Sequence, residues 1–294
     1  MITERDTRVG GISFGWAEAG EGDPPFVLIH GMGWSSGQWY EAMTHLGAER
    51  RAIAVDLPGF GRCDPVQRAC TPGWLAGGVR AFLDAIGVER AILVGNSLGG
   101  LVASWFAAAW PERTAGLVLA APALPSVGPS ASRRTALAYA ASMVPGVGLL
   151  MSRRFWDRDP SIVVAERLRN NFVDPGRATA EAIARYEADA AFRARSIPHL
   201  RAALSAQRRL VWAVSAGRER TWRVVRSIRV PTMVLWGAQD RILSPAIAER
   251  TAAEIAGAHL VMLDDVGHNP QAEKPEEFAR AVLAFTRSLE MRVA

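Results

Sequence analysis

The 294-residue sequence predicts an α/β fold: a mostly parallel, doubly wound sheet with a helical cap inserted into it. Short apolar runs of strand length, such as residues 26–29 and 52–55, alternate with longer stretches at helical spacing. This alternation is typical of parallel sheets that carry helices on both faces. One stretch of roughly a hundred residues interrupts it, and ordinary connections are much shorter.

The elements can be assigned in order along the chain. Residues 7–19 are predicted to form two short strands around Gly10-Gly11, which is a hairpin signal. Further strands are predicted at 26–29, 52–55, 91–94, 116–120, 230–236 and 259–263. Helices are predicted at about 39–46 and 74–86, directly after Ser97, and at 272–289, where the pattern is amphipathic.

The long interruption runs from about residue 124 to about residue 220 and contains no convincing buried strand. Its composition is helical, with breaks at Pro145-Gly146, Asp159-Pro160, residues 174–176 and Ile197-Pro198. We therefore predict a core formed by residues 1–123 and 221–294, and a helical cap or lid formed by residues 124–220. Such an insertion would cover the carboxyl edge of the sheet, where ligands bind in open α/β folds.

Charge and composition argue against several classes of function. The net charge is +5, and it comes almost entirely from arginine, because Lys274 is the only lysine. The arginines are dispersed and are not interleaved with aromatic residues, so we expect no nucleic-acid partner. No apolar run is long enough to span a membrane. The expected partner is a small-molecule substrate, and the chain is expected to be a monomer or homodimer.

The cysteines and the N-terminal residues bear on the cellular compartment. Cys63 and Cys70 provide neither a disulfide framework nor a metal-ligand set, so no metal is expected. The first eight residues are charged and lack the apolar segment of a signal peptide. We therefore expect a cytoplasmic location.

The stretch Gly95-Asn96-Ser97-Leu98-Gly99 indicates a catalytic serine. It follows the buried strand at 91–94 and precedes an alanine-rich helical segment, so G-x-S-x-G falls on a strand–turn–helix. The two glycines remove β-carbons that would collide in a strained turn. The predicted nucleophile is therefore Ser97, at a nucleophile elbow.

A serine nucleophile needs a base, and the base needs an acid that orients it. Among five histidines, His268 lies in the loop between the last strand and the last helix, at the same sheet edge as Ser97. Asp240 lies in the loop after the strand at 230–236, and the chain order Ser–Asp–His fits this architecture. Its nearest rivals, Asp264 and Asp265, are too close in sequence to His268 to reach its far ring nitrogen easily. The predicted catalytic triad is Ser97, His268 and Asp240.

Acyl transfer also requires donors for an oxyanion. We assign this oxyanion hole to the backbone N–H groups of Leu98, directly after the nucleophile, and of Met32, in the loop after the strand at 26–29. The predicted substrate-binding residues are Gly31, Trp34, Phe155, Trp156 and Asn269.

Together these motifs resemble the α/β-hydrolase fold family, in its serine-nucleophile branch with a helical cap. Five segments occur in the family's order and spacing. They are His30-Gly-Met-Gly, Asp56-Leu-Pro-Gly-Phe-Gly, Gly95-Asn-Ser-Leu-Gly-Gly, Trp236-Gly-Ala-Gln-Asp and Gly267-His-Asn-Pro. The resemblance covers nearly the whole chain and implies a serine hydrolase that uses no cofactor. Haloalkane dehalogenases and epoxide hydrolases of this fold carry aspartate where this chain has Ser97.

The bond that is cleaved stays open at this stage. The first hypothesis is an esterase that acts on a small to medium, largely apolar substrate through an acyl-enzyme. The elbow is also similar to that of carbon–carbon bond hydrolases. However, the chain has Trp34-Ser35-Ser36 where those enzymes carry a glycine loop with proline, and Asn269-Pro270 where they tend to carry tryptophan. The same triad would also serve a thioesterase or acyltransferase, or a cofactor-free perhydrolase.

Two arginines of the predicted cap could take part in substrate binding. Arg153 or Arg154 could hold a substrate carboxylate.

Two other classes of protein are also considered. A dinucleotide-binding oxidoreductase is suggested by Gly31, Gly33 and Gly37 with Asp56, but its last glycine is one residue late for the fingerprint. A non-catalytic binding module would not need the acid Asp240 behind the histidine.

Overall fold

The computed structural model describes residues 1–126, 141, 143–144 and 146–291. Its strands are β1 Thr3–Val9, β2 Ile12–Ala19, β3 Phe26–Ile29, β4 Ala52–Val55, β5 Ala91–Asn96, β6 Thr114–Ala120, β7 Thr232–Gly237 and β8 His259–Leu263. The helices up to β7 are α1 Tyr40–Leu46, α2 Pro72–Ala85, α3 Leu98–Ala109, α4 Val147–Trp156, α5 Pro160–Asn171, α6 Ala180–Ala194, α7 Ile197–Val214 and α8 Arg218–Arg226. The last helices are α9 Ala246–Glu254, α10 Pro270–Glu273 and α11 Pro275–Glu290, and 3₁₀ turns occur at Ser36–Trp39, Pro111–Arg113 and Pro175–Arg177.

The eight strands form one sheet in the order β1-β2-β4-β3-β5-β6-β7-β8. β2 pairs antiparallel with both β1 and β4, and the strands from β4 to β8 are parallel. The central strands β3, β4 and β5 are buried along their whole length, because helices cover both faces of the sheet. The predicted fold class, a mostly parallel sheet with flanking helices, is confirmed.

Two apolar layers hold the helices on the sheet. One face packs α2, α3 and α8, through residues such as Phe82, Phe106 and Trp222. The other packs α1 and α11, where Trp39 lies near Phe278 with ring centroids 6.0 Å apart. A third apolar cluster lies outside these layers, between Trp34 and helices α5 and α6.

The predicted C-terminal helix is divided in two by a proline. Lys274, which separates α10 from α11, has φ −133° and ψ 69°, outside the helical region. The ring of Pro275 excludes the preceding residue from the α conformation, and proline fits the first turn of the new helix. The first strand also begins earlier than the hairpin signal indicated, at Thr3.

Among the described residues between β6 and β7 there are five helices, α4–α8. Two of the predicted breaks are helix starts, since Pro160 and Pro198 occupy the first turns of α5 and α7. Residues 127–140, 142 and 145, which belong to the predicted cap, lie outside the described residues. Helix α8 runs across the predicted cap boundary at residue 220, and its Trp222 and Val225 belong to the sheet's own apolar layer.

Candidate active site

The carboxyl ends of four parallel strands bring the candidate residues to one edge of the sheet. Ile29, the last residue of β3, pairs with Gly95 near the end of β5, and Gly237, which ends β7, pairs with Leu263, which ends β8. The loops after these four strands carry Met32, Ser97, Asp240 and His268. Their position at this edge could be predicted from the sequence, because parallel strands all end at the same edge.

Ser97 occupies a strained turn between β5 and α3. Its φ of 54° and ψ of −115° are sparsely populated for a residue with a side chain, and its N–H donates to the Ala120 carbonyl at 3.1 Å. The turn is possible because Gly99 lies against β3. A β-carbon at Gly99 would be 1.9 Å from the carbonyl oxygen of Ile29. Ser97 itself is 9% exposed and lines a cavity.

His268 and Asp240 form a buried pair. Nδ1 of His268 lies 2.7 Å from Oδ2 of Asp240, which also accepts from Nε1 of Trp236 at 3.1 Å. Oδ1 of Asp240 accepts from the N–H groups of Ile242 and Leu243 at 2.8 and 2.9 Å. Because an ionised carboxylate only accepts hydrogen bonds, Nδ1 of His268 carries the proton and Nε2 is available to act as a base.

The predicted oxyanion donors lie on the two loops next to Ser97. Leu98 is the first residue of α3, where backbone N–H groups have no partner inside the helix. Met32 lines the same cavity as Ser97. Within the described ranges, neither N–H donates a hydrogen bond, so both can bind an oxygen of a bound molecule.

A buried amide network, which the sequence analysis missed, joins the loops of the site. Oε1 of Gln38 accepts from the Gly31 N–H at 2.9 Å, and its Nε2 donates to Oδ1 of Asn96 at 3.0 Å. Nδ2 of Asn96 in turn donates to the carbonyls of Ala120 and His268 at 3.1 and 3.0 Å. The network fixes the loop after β3, the elbow and the histidine loop relative to one another. The one signal in the sequence was Asn96 inside the elbow motif.

His30 has a structural role. Nε2 of its ring accepts from the Leu57 N–H at 3.0 Å, and Nδ1 lies 2.9 Å from the Gly31 carbonyl oxygen. Complete burial lowers the pKa of His30 to about 3, so the ring is neutral at pH 7. It joins the loop after β3 to the loop after β4.

A cavity of about 420 Å³ lies over the site, between the sheet edge and helices α4, α5, α6 and α7. Of the predicted substrate-binding residues, Gly31, Trp34, Phe155 and Trp156 line it. Asn269 does not. It is fully buried and is the N-cap of helix α10, where its carbonyl accepts from the N–H groups of Ala272 and Glu273. Its prediction as a substrate-binding residue was wrong.

The cationic residues of the cavity also differ from those suggested by the sequence. Arg153 and Arg154 are exposed, and Arg153 lies 3.9 Å from Asp157 in an ion pair one helical turn away. The guanidinium groups that line the cavity instead belong to Arg167 and Arg193. The sequence could not single them out, because each helix carries a second arginine, Arg169 in α5 and Arg185 in α6, and no local pattern shows which of the two faces the cavity.

The end of helix α5 and the residues after it are hydrogen-bonded directly to the loop that carries His268. The N–H of His268 donates to the carbonyl of Asn171, at the end of α5, at 2.7 Å. The buried carboxylate of Glu273 accepts from the N–H groups of Val173 and Gly267, each at 2.7 Å. The loop that presents His268 is therefore fixed from both the sheet and the helices above it.

Two negative findings hold for the described part of the chain. No three His, Cys, Asp or Glu side chains there come together in a way that could hold a metal ion. No helix there has the length and apolar character needed to cross a membrane.

Comparisons with known proteins agree with this fold. A model of the alpha/beta hydrolase family matches residues 26–281. The chain is 32% identical, over 280 residues, to the 2-hydroxy-6-oxo-6-phenylhexa-2,4-dienoate hydrolase of Comamonas testosteroni, and the match covers 92% of this chain and 90% of that protein. The chain belongs to the alpha/beta hydrolase family, and it is a hydrolase.

Solved structures show the same architecture. A bacterial membrane phospholipase A superposes with a TM-score of 0.78 at 26% identity, over 98% of this chain and 87% of that one. The haloalkane dehalogenase of Agrobacterium tumefaciens superposes with a TM-score of 0.82 at 22% identity, over 98% and 97% of the two chains. The second likeness shows the fold alone.

Proposed function

We propose that this chain is a serine hydrolase that cleaves an ester-type bond through Ser97, His268 and Asp240. The observation that supports it most directly is the buried His268–Asp240 pair, with Nδ1 and Oδ2 2.7 Å apart, next to a strained serine in the same cavity. Asp240 keeps the ring in the tautomer whose Nε2 can accept a proton. A protein that only binds a ligand needs no base, and so it would not need this tautomer.

The reaction follows from this arrangement. The Ser97 hydroxyl oxygen attacks the carbonyl carbon while Nε2 of His268 takes its proton, and the oxyanion binds the N–H groups of Met32 and Leu98. The imidazolium then protonates the leaving alcohol, which leaves an acyl group on Ser97. Water attacks this ester, gives a proton to His268, and releases the acid as Ser97 recovers its proton.

The cavity supports a small to medium, largely apolar substrate. Its walls include Met151, Phe155 and Trp156 from α4, and Leu204 and Leu210 from α7. We infer that residues 124–220 act as a cap, since these helices form the side of the cavity that faces the sheet edge. Residues on α4 and α7 would then set the size of the acyl or alcohol group. The cytoplasmic location and the choice between monomer and homodimer remain predictions from the sequence.

A second candidate is hydrolysis of a carbon–carbon bond next to a ketone. It is favoured by the relative from Comamonas testosteroni, which is named as a hydrolase of a 6-oxo-dienoate. The same triad and oxyanion donors would serve, with a carbon leaving group protonated in place of an alcohol.

Turnover of both substrate types by matched variants tests the proposal. We expect Ser97→Ala to lower kcat on p-nitrophenyl butyrate by about 10⁴-fold or more. Ser104→Ala is the control, because Ser104 lies on the same helix with its hydroxyl bonded to the Gly100 carbonyl, outside the cavity lining. Near-normal turnover by Ser97→Ala would refute the proposal. A kcat/KM that is higher for a 6-oxo-dienoate than for every ester tested would select the second candidate.

A further inference from the structure

Helix α4 exposes apolar side chains along its outer surface. Val147, Leu150 and Met151 are spaced i, i+3 and i+4, so they lie on one face of the helix. Met143 and Val144 come three and four positions before Val147. We call these five residues the α4 stripe. Each of them is between 37% and 52% exposed, although all five are large and apolar.

The stripe is not needed to pack α4 against the rest of the protein. Another side of the helix does this through Gly148, Phe155 and Trp156, which line the cavity over the proposed active site. A helix with one packed apolar side normally presents polar residues to solvent. Of the twelve large apolar side chains that are exposed among the described residues, eight belong to residues 124–220. Exposed apolar surface concentrated in this way marks a surface that binds a partner.

The segment that carries the stripe is strongly basic. Residues 124–220 contain 16 arginines and eight acidic residues, whereas the rest of the chain has three more acidic than basic residues. Arg153 and Arg154 follow the stripe and are exposed, and none of the described residues forms an ion pair with Arg154. At the other end of the stripe, Nη2 of Arg208 donates to the Val144 carbonyl at 3.4 Å. Positive charge therefore lies at both ends of an exposed apolar surface.

The stripe also adjoins the cavity that contains Ser97. Met151 belongs to the stripe and is 37% exposed, yet it lines the cavity as well. Its side chain therefore lies between the cavity and the surroundings of the protein. Whatever binds the stripe is next to the substrate cavity.

We propose that the α4 stripe and its flanking arginines bind the surface of a bilayer that contains anionic lipid. The apolar side chains enter the boundary between head groups and acyl chains, and the guanidinium groups bind lipid phosphates. Charge favours this occupant over a second copy of the chain, because two copies would bring two strongly basic segments together. An amphiphilic ester dissolved in the bilayer would then reach the cavity beside Met151. The binding itself does not depend on the proposed reaction.

Co-sedimentation with vesicles tests the native protein directly. One set of vesicles contains phosphatidylcholine alone, and the other contains phosphatidylcholine and phosphatidylglycerol in equal amounts. We expect the protein to bind the anionic vesicles more tightly by about tenfold or more, because each arginine near the surface adds to the attraction. Raising the salt concentration to about 0.5 M should remove most of this difference, since the charges are exposed and therefore screened.

Substitutions in the stripe and in its charge separate the two contributions. The double substitution Val147→Gln and Leu150→Gln should weaken binding to the anionic vesicles by about tenfold or more, since two apolar side chains no longer enter the boundary. Arg154→Gln should weaken the same binding by about fivefold, because it removes one cation from the lipid surface.

Matched control substitutions lie outside the cap. Leu260→Gln with Met262→Gln replaces two exposed apolar residues of strand β8, and Arg8→Gln removes an exposed arginine of β1. Both controls should bind vesicles as the native protein does. Turnover of p-nitrophenyl butyrate without lipid should stay within about twofold of native in every variant, because none of the substituted residues lines the cavity.

Several results would overturn the assignment. Among them are equal binding to both kinds of vesicle, no binding to either, and native binding by the protein with glutamine at positions 147 and 150. A solution dimer that this double substitution dissociates, seen by analytical ultracentrifugation, would assign the stripe to a second copy instead. A marked loss of stability in urea for the same variant would show that the chain itself covers the stripe. Failure of the proposed function is distinct, since normal ester turnover by Ser97→Ala would leave vesicle binding unchanged.

Discussion

Replacing Asp240 by asparagine tests how the acid controls the base. Oδ1 of Asp240 accepts from two backbone N–H groups, and Oδ2 accepts from His268 and Trp236. Asparagine has a single side-chain oxygen, so it can accept from only one of these two pairs of donors. With the oxygen on the backbone side, its NH₂ group faces two donors. His268 must then change tautomer so that Nδ1 accepts, and Nε2 carries a proton that blocks its action as a base.

The size of the effect follows from this change of tautomer. We expect kcat for Asp240→Asn to fall by about 10⁴-fold, which corresponds to ~5.4 kcal/mol at 1.36 kcal/mol per factor of ten. We also expect a loss of about 1–3 kcal/mol in the free energy of unfolding, because the Trp236 N–H loses its acceptor while it is buried.

Steady-state turnover of p-nitrophenyl butyrate, with urea denaturation of the same preparations, measures both effects. The control is Trp236→Phe, which removes one donor from Oδ2 and leaves the carboxylate and His268 in place. Its kcat should fall by less than about tenfold. A kcat for Asp240→Asn within tenfold of native, in a folded protein, would refute the tautomer argument.

Three further changes test other parts of the structure. Gly99→Ala should destabilise the fold by about 4 kcal/mol or more, because its β-carbon would meet the Ile29 carbonyl; native-like stability in urea would contradict the close approach. Gln38→Leu should lower kcat, and it should lower the free energy of unfolding by about 2–4 kcal/mol, because the Gly31 N–H and Asn96 Oδ1 lose their partner. Unchanged kcat and stability would show that the amide network does not hold the site together. His30, whose pKa burial lowers from 6.5 to about 3, binds a proton more readily in the unfolded chain. The free energy of unfolding should therefore fall by about 2 kcal/mol between pH 7 and pH 5 from this residue alone, and His30→Gln should flatten that slope.

The strands, and the position of Ser97, Asp240 and His268 at one edge of the sheet, could be predicted because they depend on local signals. Strands β3, β4 and β8 have the predicted bounds, since each is a short apolar run between turn residues. Strand order was not needed to place Ser97, Asp240 and His268, because the carboxyl ends of parallel strands share one edge. The glycines at positions 95 and 99 are needed because a β-carbon at either position would collide with neighbouring backbone. A requirement confined to one turn is visible in the sequence.

The rest of the site depends on contacts between residues far apart in the chain. Gln38 and Asn96 are 58 positions apart and bond through amide groups whose partners no local pattern specifies. Arg167 and Arg193 meet only because α5 and α6 both pack against Trp34. Asn269 follows His268 in the chain but is fully buried at the N-cap of α10 and does not line the cavity, and adjacency in sequence cannot show this.

The most direct test of the central claim is covalent labelling by a fluorophosphonate probe, read as intact mass. Fluorophosphonates react with a serine whose hydroxyl is activated by a neighbouring base, so the measurement needs no knowledge of the substrate. We predict one adduct on the native protein, one on Ser104→Ala, and none on Ser97→Ala. An adduct on folded Ser97→Ala, or no adduct on the folded native protein, would contradict the assignment of Ser97 as the activated nucleophile.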